Sequence, residues 1–196
     1  MFNWDSCPKF VINLDRREDR AKEVFKEFDK HSIGVRRWKA VDGELLTVPE
    51  LSIKKEEHNA SGILACALSH TGLIEHAKRC DFSHVAIFED DIYFADDFNE
   101  KIKRVEFGCW DICYLGGHLA KDKDNRIAGT YGYILNSSIF GFVLRNWYYR
   151  WGWDEFLGDV VQQRFKVYTC KPFIVGHKDG FSDVAGHKVE YKIDKV

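Results

Sequence analysis

No run in this chain approaches the roughly 18 consecutive apolar residues needed to cross a lipid bilayer, so no integral membrane segment is expected. The opening MFNWDSCPKF has neither a basic start leading into an apolar stretch nor a small-residue cleavage site, the marks of a secretory leader. Charge of one sign is also lacking: 29 lysines and arginines against 31 aspartates and glutamates leave a formal net charge of −2. A general nucleic-acid binder carries a marked basic excess, so no nucleic-acid partner is expected; a local basic site for one phosphorylated ligand stays open. The six cysteines, at 7, 66, 80, 109, 113 and 170, include no C-x-x-C pair. That spacing fits neither a zinc site nor a dense disulfide framework. Together with the missing leader it predicts a reducing, cytoplasmic setting, in which the sequons at Asn59 and Asn136 carry no meaning. There is no internal repeat, low-complexity tract or linker, so residues 1–196 read as one domain.

What is present is a core and an alternation. Hydrophobic residues make up 45% and aromatic residues 15%, ample for packing. Phe10 to Leu14 read as a strand. Ala21, Val24, Phe25 and Phe28 then follow helical spacing, with Asp15 and Glu18 as a capping box. A second strand through Val35 to Val41 ends at the turn signal Asp42-Gly43, before a polar, irregular stretch at 44–60. A long helix follows from Gly62, with Ile63, Leu64, Ala67, Leu68, Ile74 and Ala77 in phase and Asn59 or Ser61 as its cap. Then come a strand into Glu89, a helix near 96–105, and a strand from Asp111 to Leu115 stopped by Gly116-Gly117. The stretch KDKDNR reads as an exposed loop, and GYIL with SSIFGFVLRNWYYRW as a strand and a helix. Val167 to Val175 reads as a last strand, bent at Pro172. Strands alternating with helices predict an α/β fold: a mostly parallel central sheet flanked by helices.

In such sheets ligands gather at the carboxyl ends of the strands. Three chemically loaded segments are expected there: Asp15-Arg16-Arg17, Glu89-Asp90-Asp91 and Gly116-Gly117-His118. Three adjacent carboxylates at the end of the apolar run HVAIF repel one another, and a cation would compensate; a solvated turn is the plainer alternative. Arg16, Arg17 and Arg20, beside a helix start, could hold phosphate, or simply pair with Glu18 and Asp19. Ser69 and His70 lie inside an apolar helix, where a histidine is as readily structural. Either His177 or His187 could complete a metal shell. The rings of WYYRWGWDEF could stack on a sugar face or pack in the core.

FVINLDRREDR, AVDG, GILACALSHTGLIEHAK and VAIFEDDIYF, in that order, resemble glycosyltransferase family 25, which includes bacterial lipopolysaccharide sugar transferases and collagen galactosyltransferases. The likeness is strongest over residues 9–94 and continues through WDICYLGG, YGYIL and FSD. It implies a GT-A type fold, a UDP-galactose or UDP-glucose donor, Mn²⁺ (or Mg²⁺) as cofactor, inversion at the anomeric carbon and a glycan or protein hydroxyl as acceptor. Asn13, Leu14, Arg16, Arg17 and Arg20 match the donor-binding opening, Asp42 and Gly43 the turn near the nucleotide, and Ser69 and His70 the helix motif that positions the donor. Glu89, Asp90 and Asp91 match the acidic metal motif. Asp91, helped by Asp90, is expected to bind the metal, and Glu89 to fix the loop or touch sugar or ribose. The region 145–165 carries no family motif. For the catalytic base Asp159 is favoured over Asp154, because it precedes the helical stretch VVQQRF. Two rival readings remain: a non-catalytic domain that binds UDP-sugar or glycan, and a metal-dependent nucleotidyltransferase or phosphohydrolase.

Overall fold

Strand β1, Lys9–Asn13, is buried at every position, as a strand covered on both faces must be. It pairs in parallel with β2 (Arg36–Lys39) on one side and β3 (His84–Glu89) on the other. Period-2 alternation sends its side chains to opposite layers. Val11 packs with Val24 and Phe28 of helix α1 (Glu18–Lys30). Phe10 and Ile12 pack with Ala67, Leu73, Ile74 and Ala77 of helix α2 (Ala60–Arg79). The computed structural model describes residues 2–46, 60–120, 126–149, 152–184 and 186–189, apart from the side chains of 106 and 107. Most of the polar stretch 44–60, with the proposed cap Asn59, and all but the end of KDKDNR lie outside those residues, as do Arg150 and Trp151.

The remaining elements are β4 (Ile92–Phe94), α3 (Phe98–Lys101), β5 (Ile112–Tyr114), β6 (His118–Leu119), β7 (Ile127–Ala128), β8 (Gly132–Asn136), α4 (Phe140–Asn146), α5 (Trp153–Phe156), β9 (Val167–Thr169), β10 (Val175–His177), β11 (Gly180–Ser182) and β12 (His187–Val189). The main sheet runs β2-β1-β3-β8-β5-β9, and only β8 is antiparallel to its neighbours. The expected α/β architecture with a mostly parallel sheet is therefore present. Smaller pairs, β4 with β10 and the hairpin β11–β12, extend it near the carboxyl ends of the parallel strands. Among the described residues no helix is long and apolar enough to cross a membrane.

Four local expectations change. Asp15 does not cap α1; its carboxylate lies 2.6 Å from Arg37 and 2.7 Å from Lys39, and Arg17 occupies the cap position. The helix expected near 96–105 is a single α turn, α3, followed by a 3-10 segment, Ile102–Phe107. The last strand splits into β9 and β10, and β10 leaves the main sheet to pair with β4. VVQQRF forms no α-helix: a π turn over Leu157–Val161 ends in an irregular turn, and Gln162 instead bonds Ile127 and Tyr114.

Candidate active site

A cleft of about 580 Å³ opens at the carboxyl ends of β1, β2 and β3, within the range of small-ligand sites and where an α/β sheet places them. Its walls come from the β1–α1 turn, α2, the acidic triplet after β3, α5, the end of β10 and the β11–β12 hairpin. Two glycines permit this convergence. A Cβ on Gly43 would sit 2.9 Å from the Ser61 carbonyl oxygen, and one on Gly62 would sit 3.0 Å from that of Asp183.

Strand β3 ends at Glu89, and Asp90 and Asp91 form the turn that leads into β4; all three carboxylates line the cleft. Asp90 is buried and accepts hydrogen bonds from Asn13 Nδ2 at 2.7 Å and Arg20 Nη1 at 2.9 Å. The same Arg20 nitrogen lies 2.9 Å from Asp91 Oδ2. His177 Nε2 stands 3.1 Å from Asp91 Oδ1. Burial, then the charge of Asp91, pushes Asp90 up to about 6, against the pull of Arg20 and Asn13. Burial also acts to raise Asp91, but His177 and Arg20 outweigh it and hold that carboxyl below its ordinary value. His177 moves the opposite way: burial pushes it down, and Asp91 more than restores it. The repulsion visible in the sequence is thus answered inside the chain by one guanidinium and one imidazole.

These residues also fit a cation. Glu89, Asp91 and His177 each offer one ligand atom, all within 4.8 Å of one another. His177 Nδ1 lies 2.8 Å from the Lys178 carbonyl oxygen. That contact places a proton on Nδ1 and directs Nε2 at the cluster, the usual outer bond of a metal-binding histidine. Asp91 Oδ1 is buried with no hydrogen-bond donor aligned on it. Two carboxylates with one imidazole suit Mn²⁺, or Mg²⁺ with added oxygen ligands. Asp90, expected to help Asp91, is engaged with Arg20 and Asn13, and Glu89 stands in the cluster instead. His187 reaches the cleft wall but stands outside the cluster.

The residues expected at the donor site are placed unevenly about the cleft. Leu14, Arg16 and Arg20 line the cleft. Arg16 pairs with Asp42 at 3.0 Å and Asp183 at 2.8 Å. Arg17 lies outside the cleft wall, paired with Asp19 at 2.9 Å and Asp183 at 2.7 Å. Arg20 also donates to the Phe181 carbonyl. Asp42 lies outside the wall too; it caps the turn at Gly43 and holds Arg16. Asn13 lines the cleft with its amide committed to Asp90, the Arg17 carbonyl and Arg37. Ser69 Oγ accepts from Val41 N at 2.8 Å and donates to the Ala65 carbonyl at 2.7 Å, tying the end of β2 to α2. His70 is buried beside Glu89 and Trp153. Sequence reasoning missed the individual role of Asp183 as the carboxylate shared by two arginines; its signal was the FSD segment.

Of the two base candidates, Asp154 lines the cleft from the first turn of α5. Asp159, the favoured candidate, sits in the π turn outside the wall, 2.8 Å from Arg126, and the helix expected to follow it does not form. Cys66 also lines the cleft, and burial, then the charges of Glu89, Asp154 and Asp91, pushes its thiol well up. The thiolate is the reactive form. Iodoacetamide at pH 8 is therefore expected to label the exposed Cys80 and Cys109 well before Cys66, as peptide mass spectrometry will read. Labelling of Cys66 at the same rate would contradict the carboxylate environment assigned to it.

Comparison with known proteins adds the family and the fold. A family model described as glycosyltransferase family 25 (LPS biosynthesis protein) matches residues 6–115. A glycosyltransferase 25 family member from Anopheles gambiae is 28% identical over 145 residues, covering 65% of this chain and 24% of that protein. The human inactive glycosyltransferase 25 family member 3 is 28% identical over 145 residues, 64% of this chain and 24% of that protein. The chain thus spans about a quarter of the length of these curated relatives. A glycosyltransferase involved in glycosylation of the major capsid of PBCV-1 superimposes with a TM-score of 0.54 at 13% identity, covering 90% of this chain and 95% of that one. The fold is of the GT-A type.

Proposed function

The chain belongs to glycosyltransferase family 25, and from that premise we propose that it moves a hexose, galactose or glucose, from a UDP-sugar to a hydroxyl of a glycan or protein, with inversion. The observation that carries this reading is the Glu89–Asp91–His177 group in the wall of a ligand-sized cleft. Mn²⁺, or Mg²⁺ in its stead, would when bound supply positive charge against the diphosphate of the leaving UDP. Glu89, Asp91 and His177 hold that cation, and Arg20 and Asn13 keep Asp90 and Asp91 in place. Arg16, the most exposed of the three arginines, reaches the phosphates by exchanging Asp183 for them. Asp154 takes the proton of the acceptor hydroxyl as its oxygen bonds the anomeric carbon and the bond from that carbon to the phosphate oxygen breaks.

The first test is UDP release from a panel of UDP-sugars, with Mn²⁺ or with EDTA, in the presence and absence of simple glycan acceptors. Release of UDP from one donor, dependent on the metal, supports the reading and identifies the sugar. Two variants then address individual roles. Asp154→Asn is expected to lose about 10²–10⁴-fold in transfer rate, the usual contribution of a positioned base, with UDP affinity unchanged, whereas Asp159→Asn keeps its rate. The reverse pattern would return the role to Asp159. Arg16→Ala is expected to weaken UDP binding by calorimetry about 10- to 100-fold, the worth of a charge-assisted hydrogen bond; an unchanged affinity would take Arg16 out of the donor site.

A second reading has one specific support. Arg16, Arg17 and Arg20 all pair with carboxylates of the chain itself, and a human relative bears the name inactive. A domain that binds UDP-sugar without transfer would show calorimetric UDP binding and no release with any donor or acceptor.

A further inference from the structure

Trp153, Tyr133 and His70 are buried side chains from α5, β8 and α2, and none of them needs to be polar to fill the core. Their polar atoms nonetheless form a chain. Trp153 Nε1 donates to the Tyr133 hydroxyl at 3.0 Å, and that oxygen lies 2.8 Å from His70 Nδ1. His70 Nε2 then faces Glu89 Oε1 at 3.7 Å.

The direction of the chain is fixed by its ends. An indole nitrogen can only donate, and an ionised carboxylate can only accept. The Tyr133 oxygen receives the indole proton, so its own proton must go elsewhere, and His70 Nδ1 is the acceptor the described residues provide. Were Nδ1 protonated instead, the phenol would face two donors and leave its own proton buried and unbonded, which is costly. His70 therefore carries its proton on Nε2, on the side of Glu89. Stacking on Trp153, at 5.3 Å between centroids and 14° between planes, holds the ring.

We propose that His70 is a positioning residue for Glu89, with its donor nitrogen set by the Trp153–Tyr133 relay. Glu89 Oε1 also accepts from Thr130 Oγ1 at 2.9 Å, so Thr130 and His70 address the same oxygen and leave Oε2 for a cation. At 3.7 Å the imidazole is a dipole beside a charge rather than a bonded donor; a small rotation of Glu89 toward its metal-binding pose closes the gap. The relay begins one residue before Asp154, so the helix bearing the base candidate is mechanically joined to the metal cluster. This inference rests on the metal reading given above.

The test is Mn²⁺ affinity by calorimetry on the full 196-residue chain, with thermal unfolding in EDTA to monitor the fold. Tyr133→Phe keeps the ring but frees the tautomer, and His70→Leu removes the donor. Both are expected to weaken Mn²⁺ binding about 10- to 100-fold, the usual loss when an outer partner of a metal ligand is removed. His70→Gln, whose amide N–H falls near the position of Nε2, is expected to remain close to wild type. The inference is overturned if Tyr133→Phe and His70→Leu bind like wild type while Glu89→Gln does not. It is equally overturned if His70→Gln loses as much as His70→Leu, because the ring would then matter only as packing. If wild type binds no Mn²⁺, the metal reading falls and this inference with it. Should His70→Leu not fold, Tyr133→Phe against His70→Gln carries the comparison.

Discussion

Asp91→Asn is expected to reduce Mn²⁺-dependent UDP release by about 100-fold or more while the protein remains folded. The estimate follows from a bound cation supplying several kcal/mol of charge stabilisation, at tenfold in rate for each ~1.4 kcal/mol. The substitution keeps the side-chain shape and removes the charge that His177 and Arg20 both face. Folding is spared because Asp90 then loses a repelling neighbour, and Arg20 keeps Asp90 and the Phe181 carbonyl as partners. Initial rates across a Mn²⁺ titration give the answer. A variant with near-normal rates at saturating metal would remove Asp91 from the cation site, and Glu89 and His177 would no longer form a credible pair of ligands.

Arg20→Ala acts chiefly on stability. One guanidinium lies 2.9 Å from each of two carboxylates that are themselves largely buried. Removing one partner of a buried charge arrangement leaves uncompensated charge and costs about 3–5 kcal/mol. Urea unfolding in EDTA is expected to show a loss of that size. Mn²⁺ should recover more stability in the variant than it adds to wild type, because it restores positive charge beside an Asp91 that Arg20 no longer faces. Binding only to the native state contributes about 2.7 kcal/mol at a hundredfold excess over the dissociation constant. Equal metal increments in the two proteins would show that guanidinium and cation do not both neutralise Asp91.

Both predictions depend on side-chain directions that are only half legible in the sequence. The two long helices are strong periodic signals over ten or more residues, β1 and the strand ending in Glu89 are short apolar runs, and the structure carries all four. The sharing of the triplet was not legible: Asp90 and Asp91 lie in the turn after β3, where strand alternation does not hold, and both reach the same Arg20 nitrogen. His177 could be suspected from its residue type, but β10 pairs with β4 through contacts eighty residues apart in sequence, which no local pattern encodes. The helix expected after Asp159 is absent for a related reason. VVQQRF has helical composition, yet Gln162 finds better partners in Ile127 and Tyr114, and this tertiary bonding overrides propensity. The tautomer of His70 depends on Tyr133 and Trp153 from two distant elements and cannot be read from SHTG.

The clasp around Asp183 has a consequence for how a ligand would arrive. The proposed donor does not meet an empty cationic socket: Arg16 and Arg17 already hold an anion that belongs to the chain. Binding a diphosphate there is an exchange of one anion for another at the Arg16 guanidinium, and the β11–β12 hairpin that carries Asp183 gives up one tether while Arg17 and Arg20 keep theirs. Such a swap changes the number of paired charges little. Affinity for UDP should accordingly respond to ionic strength far less steeply than a surface bearing two unpaired arginines would.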